Sequence, residues 1–202
     1  MISITKKGMK IIKILFSDYL IEYNANTLKG KIGISHTGTV KILNNLTKYG
    51  ILIKSEKQYA STYILNYENK YVNNLLRLIY SDHSDYEPYI KGIIGSIFAF
   101  NEYCLISFVY GSILSKGKKA NDIDICLILK DTKNLEKIRE IEKELNKTTV
   151  QKLHLLLLPM ADFAEKLNKK DPVIYQIIKN TAVVSGEDKF IEVLINAQKN
   201  TR

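Results

Sequence analysis

The run Asp122-Ile123-Asp124-Ile125-Cys126-Leu127-Ile128-Leu129 constrains this chain more than any other stretch of it. Ile123, Ile125, Leu127 and Leu129 recur at every second position, the period of a strand, in which residues i and i+2 point to the same side. Asp122 and Asp124 therefore share a face, with Cα atoms about 6.6 Å apart, and their carboxylates can converge on a hard cation such as Mg²⁺. Upstream, a second apolar run from Cys104 to Tyr110 ends in Gly111-Ser112, and nine residues separate Ser112 from Asp122. Gly111 lets backbone approach a phosphate closely, and Ser112 offers a hydroxyl and an amide donor. Lys116, Lys118 and Lys119 add positive charge between the two runs. The arrangement suits the holding of a polyphosphate and its divalent metal at the edge of a sheet.

An acid-x-acid pair carries little by itself. With 21 acidic residues in 202, about two such pairs are expected by chance in this composition. Asp85 with Glu87, and Glu140 with Glu142 and Glu144, are examples. The first lies in a polar break, and the second lies on a helical pattern that sends i and i+2 to different faces. Asp122 and Asp124 differ because they open a strand beside a Gly-Ser turn.

Gly111, Ser112, Asp122 and Asp124 together are similar to the signature of the polymerase-beta-like nucleotidyltransferases, especially the minimal, stand-alone ones. In that signature a Gly-Ser pair ends one strand and Asp-x-Asp opens the next. Asn121 stands where a Ser often precedes the first Asp. The resemblance covers about residues 86–158 and extends toward 200. It implies a small α/β fold with a mixed sheet, binding of a nucleoside triphosphate through Gly111 and Ser112, and Mg²⁺ (or Mn²⁺) on Asp122 and Asp124. It also implies transfer of a nucleotidyl group to an acceptor hydroxyl with loss of pyrophosphate, Asp122 and Asp124 being the catalytic carboxylates. Family members usually carry a third carboxylate on a later strand. Here the next strand-like run, Thr149 to Leu158, contains no acid. The face with Val150, Lys152, His154 and Leu156 offers His154 as a replacement; the plainer reading of a lone strand histidine is a hydrogen-bonded structural residue.

The first third of the chain is of another kind. Residues 1–65 carry ten Lys and three acids, a net +7 of the whole chain's +9, which fits either a polyanion partner or a generally Lys-rich surface. Residues 9–23 show helical periodicity, Asn24-Ala25-Asn26 breaks it, and a short helix follows from about Asn26 to Lys31. After Gly33, Ser35 or Thr37 can cap a helix that runs to about Tyr49, with Val40, Leu43 and Leu46 inside and Thr37, Lys41, Asn44, Asn45 and Lys48 outside. Gly50 stands where a left-handed C-cap glycine belongs. Two strand-like runs, 51–55 and 61–65, flank a tip at Glu56-Lys57-Gln58-Tyr59-Ala60.

Ile34 to Leu52 resembles the recognition helix and first wing strand of winged-helix transcription regulators of the MarR and ArsR kind, a likeness covering about residues 8–66. It implies DNA as partner, with Thr37, Lys41, Asn44 and Asn45 toward bases and Lys48 near phosphate. No Arg occurs in residues 1–65, so the bidentate arginine fork that reads guanine is absent. Protein contact or dimerisation is the other use of such a fold.

The chain thus reads as α+β in two domains: a winged helix-turn-helix over 1–66, a linker helix and polar break over 67–85, and a nucleotidyltransferase-like domain over 86–202. The break Ser81-Asp82-His83-Ser84-Asp85 places His83 in a solvated turn. Tyr86, Ile90, Ile93, Ile94, Ile97 and Phe100 mark a further helix. Helices are expected over 134–147, 160–168, from 171 and over 187–198, with a short strand at Thr181–Ser185. No run reaches the length of a membrane span, and the amino terminus lacks the apolar run of a signal peptide. Cys104 and Cys126 read as buried thiols of a reduced, cytoplasmic compartment. Two functions follow. One is Mg²⁺-dependent nucleotidyl transfer to a protein or nucleic acid. The other is DNA-binding regulation with nucleotide sensed and not turned over. The family resemblance also leaves open a toxin–antitoxin partner protein, and a homodimer is compatible with both.

Overall fold

Residues 4–58 and 60–200 are described by the structure, a computed structural model. Tyr59, at the tip of the hairpin read from the sequence, lies outside the described residues. The chain divides into two compact units, Met1–Ile79 and Tyr80–Arg202. The segment 67–79, read from the sequence as part of a linker, falls with the first unit.

In the first unit, α1 (Lys6–Ser17), α2 (Ala25–Ile32) and α3 (His36–Lys48) precede a hairpin of β1 (Leu52–Ser55) and β2 (Thr62–Leu65). Each helix is started by a side chain that accepts an otherwise unpaired backbone amide: Thr5 from Gly8, Asn24 from Thr27, Ser35 from Gly38. The strands are antiparallel, with Ile53 opposite Ile64, and Tyr23 bridges to Tyr63. Ile11, Ile12, Phe16, Leu28, Leu43 and Leu46 are wholly or almost wholly buried. Helix α4 (Lys70–Ser81) follows, with Val72 and Leu76 buried.

Two expectations change here. The first helix ends at Ser17, not near residue 23. Asp18 is only 4% exposed, and its carboxylate accepts from the Tyr23 hydroxyl and pairs with Lys31 at 3.5 Å. That polar anchor turns the chain where apolar spacing alone would continue the helix. In α3 the buried stripe is Thr39, Leu43 and Leu46, while Val40 is only half-buried. Thr39 tolerates burial because its hydroxyl donates to the Ser35 carbonyl at 3.0 Å. Gly50 has φ +67, as a helix-ending glycine requires.

The second unit is a four-stranded mixed sheet in the order β5-β4-β3-β6. Its elements are α5 (Pro88–Ile97), a 3₁₀ turn at Phe98–Phe100, β3 (Cys104–Tyr110), α6 (Ile113–Lys116), a 3₁₀ turn at Gly117–Lys119 and β4 (Asp122–Leu129). Then come α7 (Leu135–Thr148), β5 (Lys152–Pro159), α8 (Met160–Asn168), α9 (Pro172–Lys179), β6 (Thr181–Ser185) and α10 (Glu187–Lys199). Strand β3 is antiparallel to both β4 and β6, whereas β4 and β5 run parallel across the α7 crossover.

Alternation along β4 sorts its side chains onto two layers. Ile123, Ile125, Leu127 and Leu129 join Ile90, Ile93, Ile94 and Ile97 of α5 and Ile138 of α7 in one cluster. On the other side Phe108, which faces Cys126 in register, meets Phe163 of α8 and Phe190 of α10 with ring centroids 6.3 and 5.8 Å apart. Each such ring pair adds about 0.5–1.5 kcal/mol beyond the area it buries. The α5 and α7 layer covers β4 from Ile123 onward, whereas on the opposite face the start of the strand carries Asp122 and Asp124, which are only half-buried.

Two boundaries and the environment of His83 differ from the sequence reading. Helix α5 starts at Pro88, a residue preset for a first helical turn, so Tyr86 precedes it. The strand expected from Thr149 begins at Lys152, and Val150 is 90% exposed. His83 is not solvated: it is half-buried, and its Nε2 lies 2.6 Å from the Val183 carbonyl oxygen of β6. Cys104 and Cys126 are both buried and free. Among the described residues no helix is long and apolar enough to cross a membrane.

Candidate functional site

The antiparallel register of β3 with β4 sets Tyr110 opposite Asp124, and so brings the Gly111-Ser112 turn against the paired carboxylates. Gly111 has φ +82, a region that L side chains rarely adopt. A Cβ built there would stand 2.6 Å from Oδ2 of Asp124. The glycine thus serves twice, in making the turn and in letting Asp124 lie against the backbone. Its carbonyl accepts from Asn180 Nδ2 at 3.1 Å, which ties the turn to the end of α9. Ser112 opens α6 with no side-chain capping bond, while its carbonyl accepts from the Lys116 amide at 2.8 Å.

The parallel register of β4 with β5 supplies the third member. Asp122 pairs with Lys152 and Asp124 with His154. Paired residues of adjacent strands share a face, so His154 and both aspartates project to the same side. Nδ1 of His154 is 3.6 Å from Oδ2 of Asp122 and 3.9 Å from Oδ1 of Asp124. One ligand atom from each of the three lies within 4.8 Å of the others. His154 therefore faces the carboxylates. The side chains are partly open to solvent, 35% for Asp122, 27% for Asp124 and 51% for His154.

Electrostatics at this end favour a cation. Burial, and then the charge of Asp122, hold the Asp124 carboxyl above its ordinary value, while His154 acts in the opposite direction. The Tyr110 hydroxyl is pushed up to about 12, first by burial and then by the charges of Asp124, Cys126 and Asp122. The Asp124 carboxylate, whose charge burial and Asp122 disfavour, is relieved by a bound dication. The donor types fit one: donors about 2.0–2.2 Å from an ion stand roughly 3–3.5 Å apart, and the ligand atoms here, all within 4.8 Å of one another, reach that spacing by moving inward.

Lys116, Lys118 and Lys119 are all exposed. Nζ of Lys118 lies 5.4 Å from the centroid of the Tyr89 ring, and the Lys118 carbonyl accepts from Gln151 at 2.9 Å. Lys152, which the sequence offered only as a neighbour of His154, stands exposed in register with Asp122. Its alignment depends on a pairing between strands that no local pattern carries.

In the first unit Thr37, Lys41, Asn44, Asn45 and Lys48 are all exposed on α3. Lys41, Asn44, Asn45 and Lys48 also line a groove of about 580 Å³ between α3 and the start of α1, with Ile4, Thr5 and Gly8 on its other wall.

Residues 93–190 match the family model of polymerase beta nucleotidyltransferases. The matched stretch runs from α5 into α10 and contains Gly111, Ser112, Asp122, Asp124 and His154. No curated protein and no solved structure matches the chain.

Proposed function

We propose that this protein binds a nucleoside triphosphate with a divalent cation at the start of β4 and transfers a nucleotidyl group to an acceptor hydroxyl. The observation that carries this reading is the convergence of Asp122, Asp124 and the Gly111-Ser112 turn inside the stretch matched by the family model. Asp122 and Asp124 hold the cation. Gly111 leaves the room that the Asp124 carboxylate needs, and the Ser112 hydroxyl and amide donate to phosphate oxygens. Exposed Lys116, Lys119 and Lys152 contribute to a positive rim for the triphosphate. The cation, when bound, neutralises phosphate charge and lowers the pKa of the attacking hydroxyl. The hydroxyl oxygen bonds to the α-phosphorus, the bond to the pyrophosphate oxygen breaks, and the hydroxyl proton is released.

The order of helices and hairpin in the first unit, its net +7 and the exposed face Thr37, Lys41, Asn44, Asn45 and Lys48 support a winged helix that binds DNA. The acceptor is then DNA, a DNA-associated protein or a partner brought by that unit. A second reading rests on one observation. His154 pairs with Asp124 in register, and β5 carries no carboxylate to take the hydroxyl's proton. On that reading the protein senses nucleotide without turnover and regulates through DNA.

The two readings separate on incubation with Mg²⁺ or Mn²⁺, each labelled triphosphate and a lysate of the source cells, beside a D122N/D124N double variant. Label transfer that the double variant loses supports transfer. Saturable, metal-dependent nucleotide binding with no label transferred rules out transfer and leaves the sensor.

A further inference from the structure

The imidazole of His154 stands beside the two carboxylates of the candidate cation seat. Nδ1 of His154 lies nearer to both carboxylates than a remote neighbour would, yet at 3.6 and 3.9 Å it hydrogen-bonds neither. Adjacent donors on one ion stand roughly 3–3.5 Å apart, the three ligand atoms here lie within 4.8 Å of one another, and an inward shift of three partly exposed side chains completes the set. The β4–β5 register fixes all three on one face of rigid strands, which is how a preorganised site is built.

Carboxylate and water oxygens suit Mg²⁺, whereas imidazole nitrogen suits the first-row transition ions, with affinity rising from Mn²⁺ through Co²⁺ toward Zn²⁺. Mg²⁺ also demands near-ideal octahedral oxygen geometry. We infer that His154 is a direct ligand through Nδ1, and that this Asp-Asp-His site selects Mn²⁺ and the later first-row dications over Mg²⁺. The inference deepens the metal–triphosphate reading and rests on it. His154 here acts on the choice of cation and not as a proton acceptor.

Mn²⁺ is the probe, added to the full chain alone and with ATP, and read by pulsed electron paramagnetic resonance for coupling to ¹⁴N. The wild type is expected to show imidazole nitrogen coupling, and His154→Asp and His154→Ala to lose it. Competition of Mg²⁺ against bound Mn²⁺ gives the selectivity. Loss of an outer partner of a metal site already costs about 10–100-fold in affinity, so His154→Asp should shift the Mn²⁺ over Mg²⁺ preference by tenfold or more. That variant restores an all-carboxylate set, so retained Mn²⁺ binding by it also shows that the fold survives. Mn²⁺ bound in an Asp122-dependent way without nitrogen coupling overturns the inference and leaves the metal–triphosphate reading standing. Failure of Mn²⁺ to bind in any form overturns both.

Discussion

Gly111→Ala is the sharpest single perturbation of this site. The structure gives two separate costs. A φ of +82 strains any L side chain, at about 1–3 kcal/mol. The added Cβ would also meet Oδ2 of Asp124 at 2.6 Å, and real Cβ atoms essentially never come closer than 3.0 Å. The carboxylate must therefore retreat by roughly 0.4–0.8 Å, against a positional tolerance of about 0.5 Å for a preorganised constellation. Misplacement by about 1 Å costs a reaction on the order of 100-fold. The expected outcome is a melting temperature lower by roughly 4–12 °C, at about 4 °C per kcal/mol for a unit of this size. With it goes a loss of metal-dependent triphosphate affinity of about tenfold or more. Calorimetric titration with Mn²⁺ and a triphosphate reads the second effect, and thermal denaturation reads the first. Gly33→Ala is the control. Gly33 has φ +66 but nothing within 4 Å of a built Cβ, so it carries the backbone cost without disturbing Asp124. Wild-type affinity in Gly111→Ala, or an equal loss in Gly33→Ala, would refute the reasoning.

Three further outcomes are expected. Gly186→Ala should unfold or strongly destabilise the second unit, by about 3 kcal/mol or more, because its Cβ would lie 2.1 Å from the Leu105 backbone oxygen at φ +77; near-native denaturant stability would contradict the β3–β6 packing. Folding raises the Asp124 pKa, so the folded chain holds that proton more readily than the unfolded one, and the ionised group disfavours the fold above the raised value. Metal-free Asp124→Asn should accordingly melt higher than wild type at neutral pH, with the gain fading as pH falls through the raised value toward the ordinary value of about 3.9; a gain that grows on acidification would reverse the sign. Lys41→Ala and Lys48→Ala should each lower DNA affinity in a mobility-shift titration, uniformly across sequences, and flatten its salt dependence by about one unit of slope; an unchanged slope would remove α3 from the DNA contact.

Strands β3 and β4 and the turn between them were legible because each signal is local. Alternating apolar residues, a glycine at a turn and two carboxylates on one face need no knowledge of distant chain. The end of α1 was not legible. Buried Asp18 and Tyr23 pair across a turn, with exposed Lys31 reaching the same carboxylate, and periodicity registers none of it. The phase of α3 slipped by one residue for a related reason: Thr39 is polar by composition but satisfied by the Ser35 carbonyl, so it takes the buried position that Val40 was expected to hold. His154 is the most instructive case. Its distance from Asp124 along the chain is 30 residues, and its place beside that residue is set by a parallel pairing across a helical crossover. A sequence shows that β5 lacks an acid; only the register shows that its histidine faces the aspartates.

The central claim is that Asp122 and Asp124 form the cation seat of a triphosphate site. Equilibrium binding of labelled ATP and GTP, each with and without Mn²⁺, to wild type and to D122N/D124N tests it most directly. The account predicts saturable binding of at least one triphosphate that requires Mn²⁺ in the wild type and is lost in the double variant, although that variant stays folded by circular dichroism. Binding that is indifferent to the metal, or equal in the two proteins, would contradict it.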